Sequence, residues 1–555
     1  MGDRYYVTDT SLSARFPLYT RANVGEVFPD PVTPLTSTSA LWEAELGWRD
    51  AWERMGAFDP AEFPADEFCQ LGVQGGYCYL NASLIRLFGE RAPGLSWQDM
   101  DAQFFGAQPG IPPYREMDGD VRPDLTEKIG ATFAWVFGQT SLSDLTQLTK
   151  DREDTKALRA RRPDFTSMSL DQLWQFFLEL VPVHRHLFGQ HLFTTYMATV
   201  PVGAISAVAT AVGRPDLIMP IIAGIGEVDS AEPSHAMWRL SRLDPSSAEF
   251  EDAFAAFLYE YGSRGPNEWE SRSPTWETRP ALALAAIDRM RVSPDSANPA
   301  GHHAERAAAR EAASAELLAM VAGDPAVHGQ LAAAIACSKA WLPGRERTKT
   351  NNIRAIHEMR MAMREVGRRM VEAGAFDEIE DFGFVTKDEV AALFANPTAF
   401  TATVRERRAE YARLEQLEPP FVFDGRTDGP DTWPRRDAVS ADRLGVGDVM
   451  AGMPGCPGSA EGIARVVLDS NDPFALEPGD ILVAPITDPS WTPLFVPAAA
   501  VVVDVGAPLS HAIIVSRELG IPCVISATGA TRRIPDGARI RVDGATGVVT
   551  VLGLP

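Results

Sequence analysis

Near the end of the chain an apolar run, Ala498 to Val505, passes through Gly506-Ala507-Pro508 into Leu509-Ser510-His511-Ala512-Ile513-Ile514-Val515-Ser516-Arg517-Glu518-Leu519-Gly520-Ile521-Pro522. The run reads as a strand and the rest as a helix, because Ser510 stands where an N-cap belongs and Gly520 and Pro522 end the pattern. That register puts His511 in the first helical turn. Free N–H groups and the helix dipole there favour an anion, so the site disfavours imidazolium but suits a phosphoryl group carried on the ring. Read locally, the residue is either a covalent phosphate carrier supported by Ser510 or a satisfied loop histidine.

The wider pattern separates the two. L-S-H-A-x-I-V-x-R-E-L-G-I-P resembles the phosphohistidine signature of the swivelling domain in PEP synthase, pyruvate phosphate dikinase and rifampicin phosphotransferase. The resemblance runs from about Gly452 to Leu554, through Pro457-Gly458-Ser459-Ala460-Glu461-Gly462, Pro478-Gly479-Asp480-Ile481-Leu482-Val483 and Val542-Asp543-Gly544-Ala545-Thr546-Gly547. Pro508 departs from the usual pattern. The Asp488-Pro489-Ser490-Trp491-Thr492-Pro493-Leu494 stretch also matches and implies a surface beside the histidine, with Trp491 structural.

A length of 555 residues allows two to four domains, and 45% hydrophobic with 23% charged residues is ordinary for a globular protein. A net charge of −24 argues against a nucleic-acid or anionic-membrane surface, though not against a local basic pocket. The five cysteines (69, 78, 337, 456 and 523) are scattered, without zinc spacing, which suggests reduced thiols in a cytoplasm, no structural metal, and Cys523 as apolar filler. Met1 to Thr20 lacks an apolar signal-peptide core. Met197 to Gly226, broken by Pro201, Gly203, Gly213 and Pro220, reads as two buried helices around a turn.

The expected fold is multidomain: a mainly α acceptor-substrate domain over residues 1–414, a linker over 415–449, and a small β/α swivelling phosphohistidine domain over 450–555. Residues 1–40 are rich in Pro, Thr and Ser and read as a surface arm. Apolar spacing of three and four predicts helices in Leu41 to Met55, Leu170 to Val200 and Glu305 to Ala336. Aromatics crowd between Phe68 and Phe137, as core or as walls of an acceptor pocket. His184, His186 and His191 form another cluster; His184 and His191 share one helical face and read as core or rim residues.

Arg345 and Lys349 of Gly344-Arg345-Glu346-Arg347-Thr348-Lys349 stand four apart, so on a helix both cations face one way and invite an anion. The run resembles the R-E-x-x-K element of rifampicin phosphotransferase, which implies that Arg345 and Lys349 clamp the phosphoryl group in transit. Tyr261 to Glu270 resembles the Y-G-x-R-G-P-x-E motif of the same acceptor domain, making Arg264 and Glu268 candidates for the pocket wall. Arg21 to Thr36 resembles the opening of that domain and makes Asn23 and Glu26 candidates for contacting the acceptor hydroxyl or the phosphoryl group.

Enzymes of this group charge the histidine with an ATP-grasp domain. The resemblance leaves no room for one before residue 20, and the chain has no G-x-x-x-x-G-K-[ST] loop. It therefore implies a separate ATP-grasp partner that binds ATP and Mg2+, as in the split enzymes that phosphorylate phenol or p-cresol. The acceptor expected on that basis is a small aromatic hydroxyl compound. The alternatives are a rifamycin-type antibiotic and a phosphohistidine relay that modifies no small molecule.

Overall fold

The structure, a computed structural model, describes residues 5–106, 108–226, 229, 232–293, 295, 298, 301–436, 442–468, 475–487, 491–506 and 510–555. The Ala507-Pro508-Leu509 turn, the Asp488-Pro489-Ser490 stretch and the 437–441 part of the linker lie outside them.

Three helices build the scaffold of the larger, mainly helical domain: α1 (Trp42–Met55), α2 (Leu170–Ala211, 42 residues) and α3 (Pro325–Glu372, 48 residues). Helix α2 opens on a capping box, with Ser169 accepting from Gln172 N and Gln172 returning the bond to Ser169 N. It runs unbroken through Pro182 and Pro201, so the expected break at Pro201 and Gly203 falls instead at Val212 to Arg214. Apolar enough by composition to cross a bilayer, α2 is packed along α3 and α1. Its approach to α1 is set by glycines. A Cβ on Gly47 would lie 2.6 Å from the Arg185 carbonyl, and one on Gly189 would lie 2.9 Å from the Gly47 carbonyl. Backbone meets backbone there, and nothing larger fits.

The expected helix over Glu305 to Ala336 is two elements. The first, Gly301–Met320, ends before Val321 to Asp324, and Asp324 then caps α3 through Ala326 N and Val327 N. The Arg345–Lys349 run sits in the middle of α3, which continues to Glu372 through Pro343.

A small sheet escaped the periodicity argument. Strands β1 (Leu18–Thr20), β2 (Leu71–Gln74), β3 (Tyr77–Asn81) and β4 (Val422–Asp424) pair antiparallel in the order β2-β3-β1-β4. The Gly75-Gly76 turn, with both residues at positive φ, is the two-residue hairpin signal that marks β2–β3. Two expectations change here. Residues 18–37 are not a surface arm: Arg21 donates to the Cys78 and Phe28 carbonyls, and buried Glu270 accepts from Thr33 and Thr36. The first half of the linker is not free chain either, since β4 pairs with β1, and Phe423 and Trp433 are buried against Tyr19, Tyr77 and Tyr79.

The C-terminal domain is an eight-stranded mixed sheet. Its strands are β5 (Val449–Ala451), β6 (Met453–Cys456), β7 (Ser459–Val466), β8 (Ile481–Ala484), β9 (Ala500–Val503), β10 (Cys523–Ile525), β11 (Arg539–Asp543) and β12 (Val548–Gly553), in the order β5-β12-β11-β7-β8-β9-β10-β6. β7 to β10 run parallel. Alternate residues of β8 and β9 serve two cores: Leu482, Ala484, Val501 and Val503 pack with Phe495 and Ile513, while Ile481, Val483, Ala500 and Val502 pack with Ile540 and Val549. Burial on both faces explains why these strands read as unbroken apolar runs. Helix α4 (His511–Leu519) follows β9 and ends on Gly520 in the left-handed conformation. The domain sits against the helical one: Gln108 donates to the Asp504 carbonyl at 3.3 Å, and Arg289 to the Leu476 carbonyl.

Candidate active site

His511 opens α4 and is 7% exposed. Its Nδ1 lies 3.2 Å from Thr487 Oγ1 and its Nε2 3.4 Å from Thr492 Oγ1, and Phe495 packs edge-on to the ring. Burial holds the imidazole pKa well below the ordinary value, and Lys349, Arg264 and Arg345 push it further in the same direction. A neutral ring keeps a lone pair for phosphorus. Ser510 has the extended backbone of an N-cap but makes no capping hydrogen bond, and its buried Oγ has no partner among the described residues. The first N–H of α4 faces Glu26 Oε2 of the other domain at 3.4 Å instead. A carboxylate thus occupies the kind of position that a phosphoryl oxygen would take.

The cations come from α3 and the loop before residue 270. Arg264 Nε and Nη2 donate to the Glu268 carboxylate at 2.7 and 3.2 Å, and Arg264 Nη1 donates to Thr350 Oγ1 at 3.3 Å. Lys349 Nζ is 3.9 Å from Glu268 Oε1. The loop itself is fixed by fully buried Arg360 of α3, which donates to the backbone carbonyls of Glu268, Glu270 and Ser271. Arg345 Nη1 pairs with Glu346 at 2.8 Å.

Arg345 also lines a cavity of about 120 Å³ whose walls include Trp48, Phe188, Tyr196, Trp269 and Ile356. Asn23 stands at its rim with φ 64° and ψ −52°, the central residue of a γ-turn closed by Val24 N to Ala22 O at 2.7 Å. A non-glycine residue at positive φ carries strain of the kind that clusters at ligand sites. A π-helical turn, Ser37–Leu41, brings Ala40 and Leu41 into the opposite wall. Thr195 and Trp269 line the cavity, and Thr195 Oγ1 and Trp269 Nε1 are buried without a hydrogen-bond partner among the described residues. Such groups suit a ligand that carries oxygen.

Asn23, Arg345 and the aromatic walls therefore sit at the cavity, while Glu26, Lys349, Arg264 and Ser510 gather around His511. One expectation is corrected: Arg264 and Glu268 do not line the cavity. Their mutual ion pair holds them behind Lys349, on the His511 side. His184 is a satisfied core histidine, between the Ala40 carbonyl at 3.0 Å and Asn352 at 2.9 Å. The sequence reading missed Thr487 and Thr492 as ring contacts, and His191 and Trp269 as cavity residues. The seven-residue spacing of His184 and His191 was the only signal for the latter. Trp491 is buried in the carrier core. Among the described residues no group of three or more His, Cys, Asp or Glu side chains is arranged to hold a metal.

Two stretches of the chain match known families. Residues 476–547 match the PEP-utilising enzyme mobile domain, and residues 241–346 match the rifampicin phosphotransferase fourth domain. The chain thus carries two regions similar to modules of these enzymes, with His511 in one match and Arg264, Glu268 and Arg345 in the other. Among its relatives, an uncharacterized protein of Mycobacterium tuberculosis is 35% identical over 354 residues, covering 64% of this chain and 36% of the relative. The rifampicin phosphotransferase of Streptomyces sviceus is 33% identical over 313 residues, 56% of this chain and 35% of that protein. The prodigiosin synthesizing transferase PigC of Serratia marcescens is 32% identical over 316 residues, 56% and 34% respectively. The matched stretch spans about a third of the length of these curated relatives.

Proposed function

We propose that the chain is the transfer component of a phosphotransferase. His511 accepts the β-phosphoryl group of ATP from a separate ATP-grasp subunit that binds ATP with Mg2+. It then passes the group to the hydroxyl of a small aromatic acceptor held in the cavity. In the first half a ring nitrogen of His511 bonds to the β phosphorus of ATP as its bond to the AMP oxygen breaks, and water takes the γ-phosphoryl group, so that AMP and phosphate leave. In the second half the acceptor oxygen attacks phosphorus and the P–N bond electrons return to the imidazole. Arg345 and Lys349 offset charge on the transferring group, Glu268 and Arg264 steady Lys349, and Ser510 and the α4 N-terminus face the phosphoryl oxygens.

The observation that carries this reading is that Arg345 belongs both to the cationic surroundings of His511 and to the wall of the cavity. A relay that modifies no small molecule gives no reason for such a shared cation. Size favours the small acceptor over a rifamycin: a cavity of about 120 Å³ is comparable with the roughly 150 Å³ apolar cavity that takes benzene, and far below a macrocycle.

The chain loaded on His511 with phosphoramidate, with His511→Ala as the loading control, is offered phenol, cresols and benzylic alcohols. Formation of an aryl or benzyl phosphate is expected. If the loaded protein discharges only to water with all of them, the small-acceptor reading fails. The ATP-grasp supply is tested separately, by label transfer from β-labelled and γ-labelled ATP in the presence of a candidate partner.

A further inference from the structure

We propose that His191 is the general base that removes the acceptor's hydroxyl proton during transfer, an inference that rests on the phosphotransfer reading above.

A neutral phenol or alcohol cannot end as a phosphate ester with its proton still attached, and the proton must leave toward the cavity wall. Among the described residues no carboxylate lines that wall. Arg345 is a donor only. Tyr196 is held protonated by burial, which raises its pKa far above the ordinary phenol value. His184 has both ring nitrogens engaged, with Ala40 and Asn352. His191 remains, and its tautomer is fixed by its neighbour. The Thr348 hydroxyl gives its one proton to the Arg345 carbonyl at 2.8 Å, since a carbonyl can only accept. Thr348 Oγ1 therefore accepts from His191 Nδ1–H at 3.1 Å. That leaves Nε2 without a proton and with a lone pair, on a ring that lines the cavity and packs 5.9 Å from Trp269. The same link joins the base to the backbone of Arg345.

In the step, the acceptor O–P bond forms as the P–N bond to His511 breaks, and the electron pair of that bond returns to the His511 ring, which keeps the N–H of its other nitrogen throughout and leaves as neutral imidazole. The acceptor proton passes to His191 Nε2, giving an imidazolium that returns it to solvent once product leaves. In the unloaded protein the His191 pKa is lowered to about 3, first by burial and then by Arg345 and Lys349. A phosphoryl group paired with those two cations offsets their push, so the imidazole becomes more basic when the substrate that needs it is in place.

His191→Asn keeps an N–H where Nδ1–H bonded Thr348 and deletes the base. With protein loaded on His511 by phosphoramidate, discharge to phenol is expected to slow by roughly 10²- to 10³-fold. Discharge to p-nitrophenol, already ionised at mildly alkaline pH, should stay close to the wild-type rate because it needs no base. Thr348→Val, which frees the tautomer without touching the ring, should show a smaller loss with the same acceptor pattern. Equal losses on both acceptors in both variants, or no loss with phenol, overturn the assignment. A wild-type protein that transfers to neither acceptor overturns the functional reading and the base with it, whereas wild-type transfer with unselective variants removes only the base.

Discussion

The helical-domain side and the His511 side of the site are held in different ways. In the helical domain Arg264 and Glu268 share two hydrogen bonds, Arg360 pins the loop that presents them, and His191 is locked through Thr348 to the Arg345 backbone. On the other side the His511 ring meets Thr487 and Thr492 of its own domain at 3.2 and 3.4 Å, and its backbone N–H meets Glu26 of the helical domain at 3.4 Å. Short charged contacts preorganise a site, and long ones release at little cost. In the proposed transfer this difference suits a fixed cation cradle and a histidine whose contact with Glu26 across the domains is long enough to release.

The largest effect expected is at the histidine itself: His511→Ala or His511→Gln should reduce both loading with phosphoramidate and product formation to background, read by acid-labile phosphate. Replacing Lys349 or Arg345 with Ala should leave loading intact but slow discharge to phenol by roughly 10²- to 10³-fold, the cost of losing one preorganised charge partner. If loading falls with discharge, the two sides are not separable in the way described.

The scaffold contrast is tested at Gly47. Alanine there gains about 1 kcal/mol of helix propensity but drives a Cβ to 2.6 Å from the Arg185 carbonyl, where neither backbone can yield. Overpacking of this kind costs about 1–3 kcal/mol, so Gly47→Ala should lower the denaturation midpoint of the helical domain. An unchanged or raised midpoint would show that α1 and α2 can separate freely.

The smallest effect is on domain docking. The docked His511 pKa is depressed below 6.5, first by burial, then by Lys349, Arg264 and Arg345. Protonation is thus disfavoured in the docked state and permitted once the ring is exposed. Docking is fully supported above the ordinary imidazole pKa and weakens as pH falls below it, by at most about 1.4 kcal/mol per pH unit. Small-angle scattering should show the particle expanding between about pH 7.5 and pH 5.5, with His511→Gln removing the dependence.

How far the sequence reached follows the same division. In the C-terminal domain, the strands and the helix that His511 opens were legible, because alternating burial and glycine turns leave marks within a few residues of one another. The Arg345–Lys349 face was legible for the same reason. The segment at residues 18–37 was misread as an arm because its order comes from partners such as Cys78 and Glu270, too distant in the chain for local spacing to register. β4 vanished into an apparent linker because a three-residue edge strand has no period.

The sequence alone determined which histidine opens the helix after β9, which two cations share a helical face, and that a helical and a sheet domain follow one another. Only the tertiary structure decided which groups meet: that Arg264 and Glu268 bind each other away from the cavity wall, that Arg345 lines the cavity and also lies in the charged surroundings of His511, and that Thr348 contacts His191. Helical and strand periods are written in neighbours along the chain. A hydrogen bond between residues more than 150 positions apart is written only in the packing of the helices that bring them together.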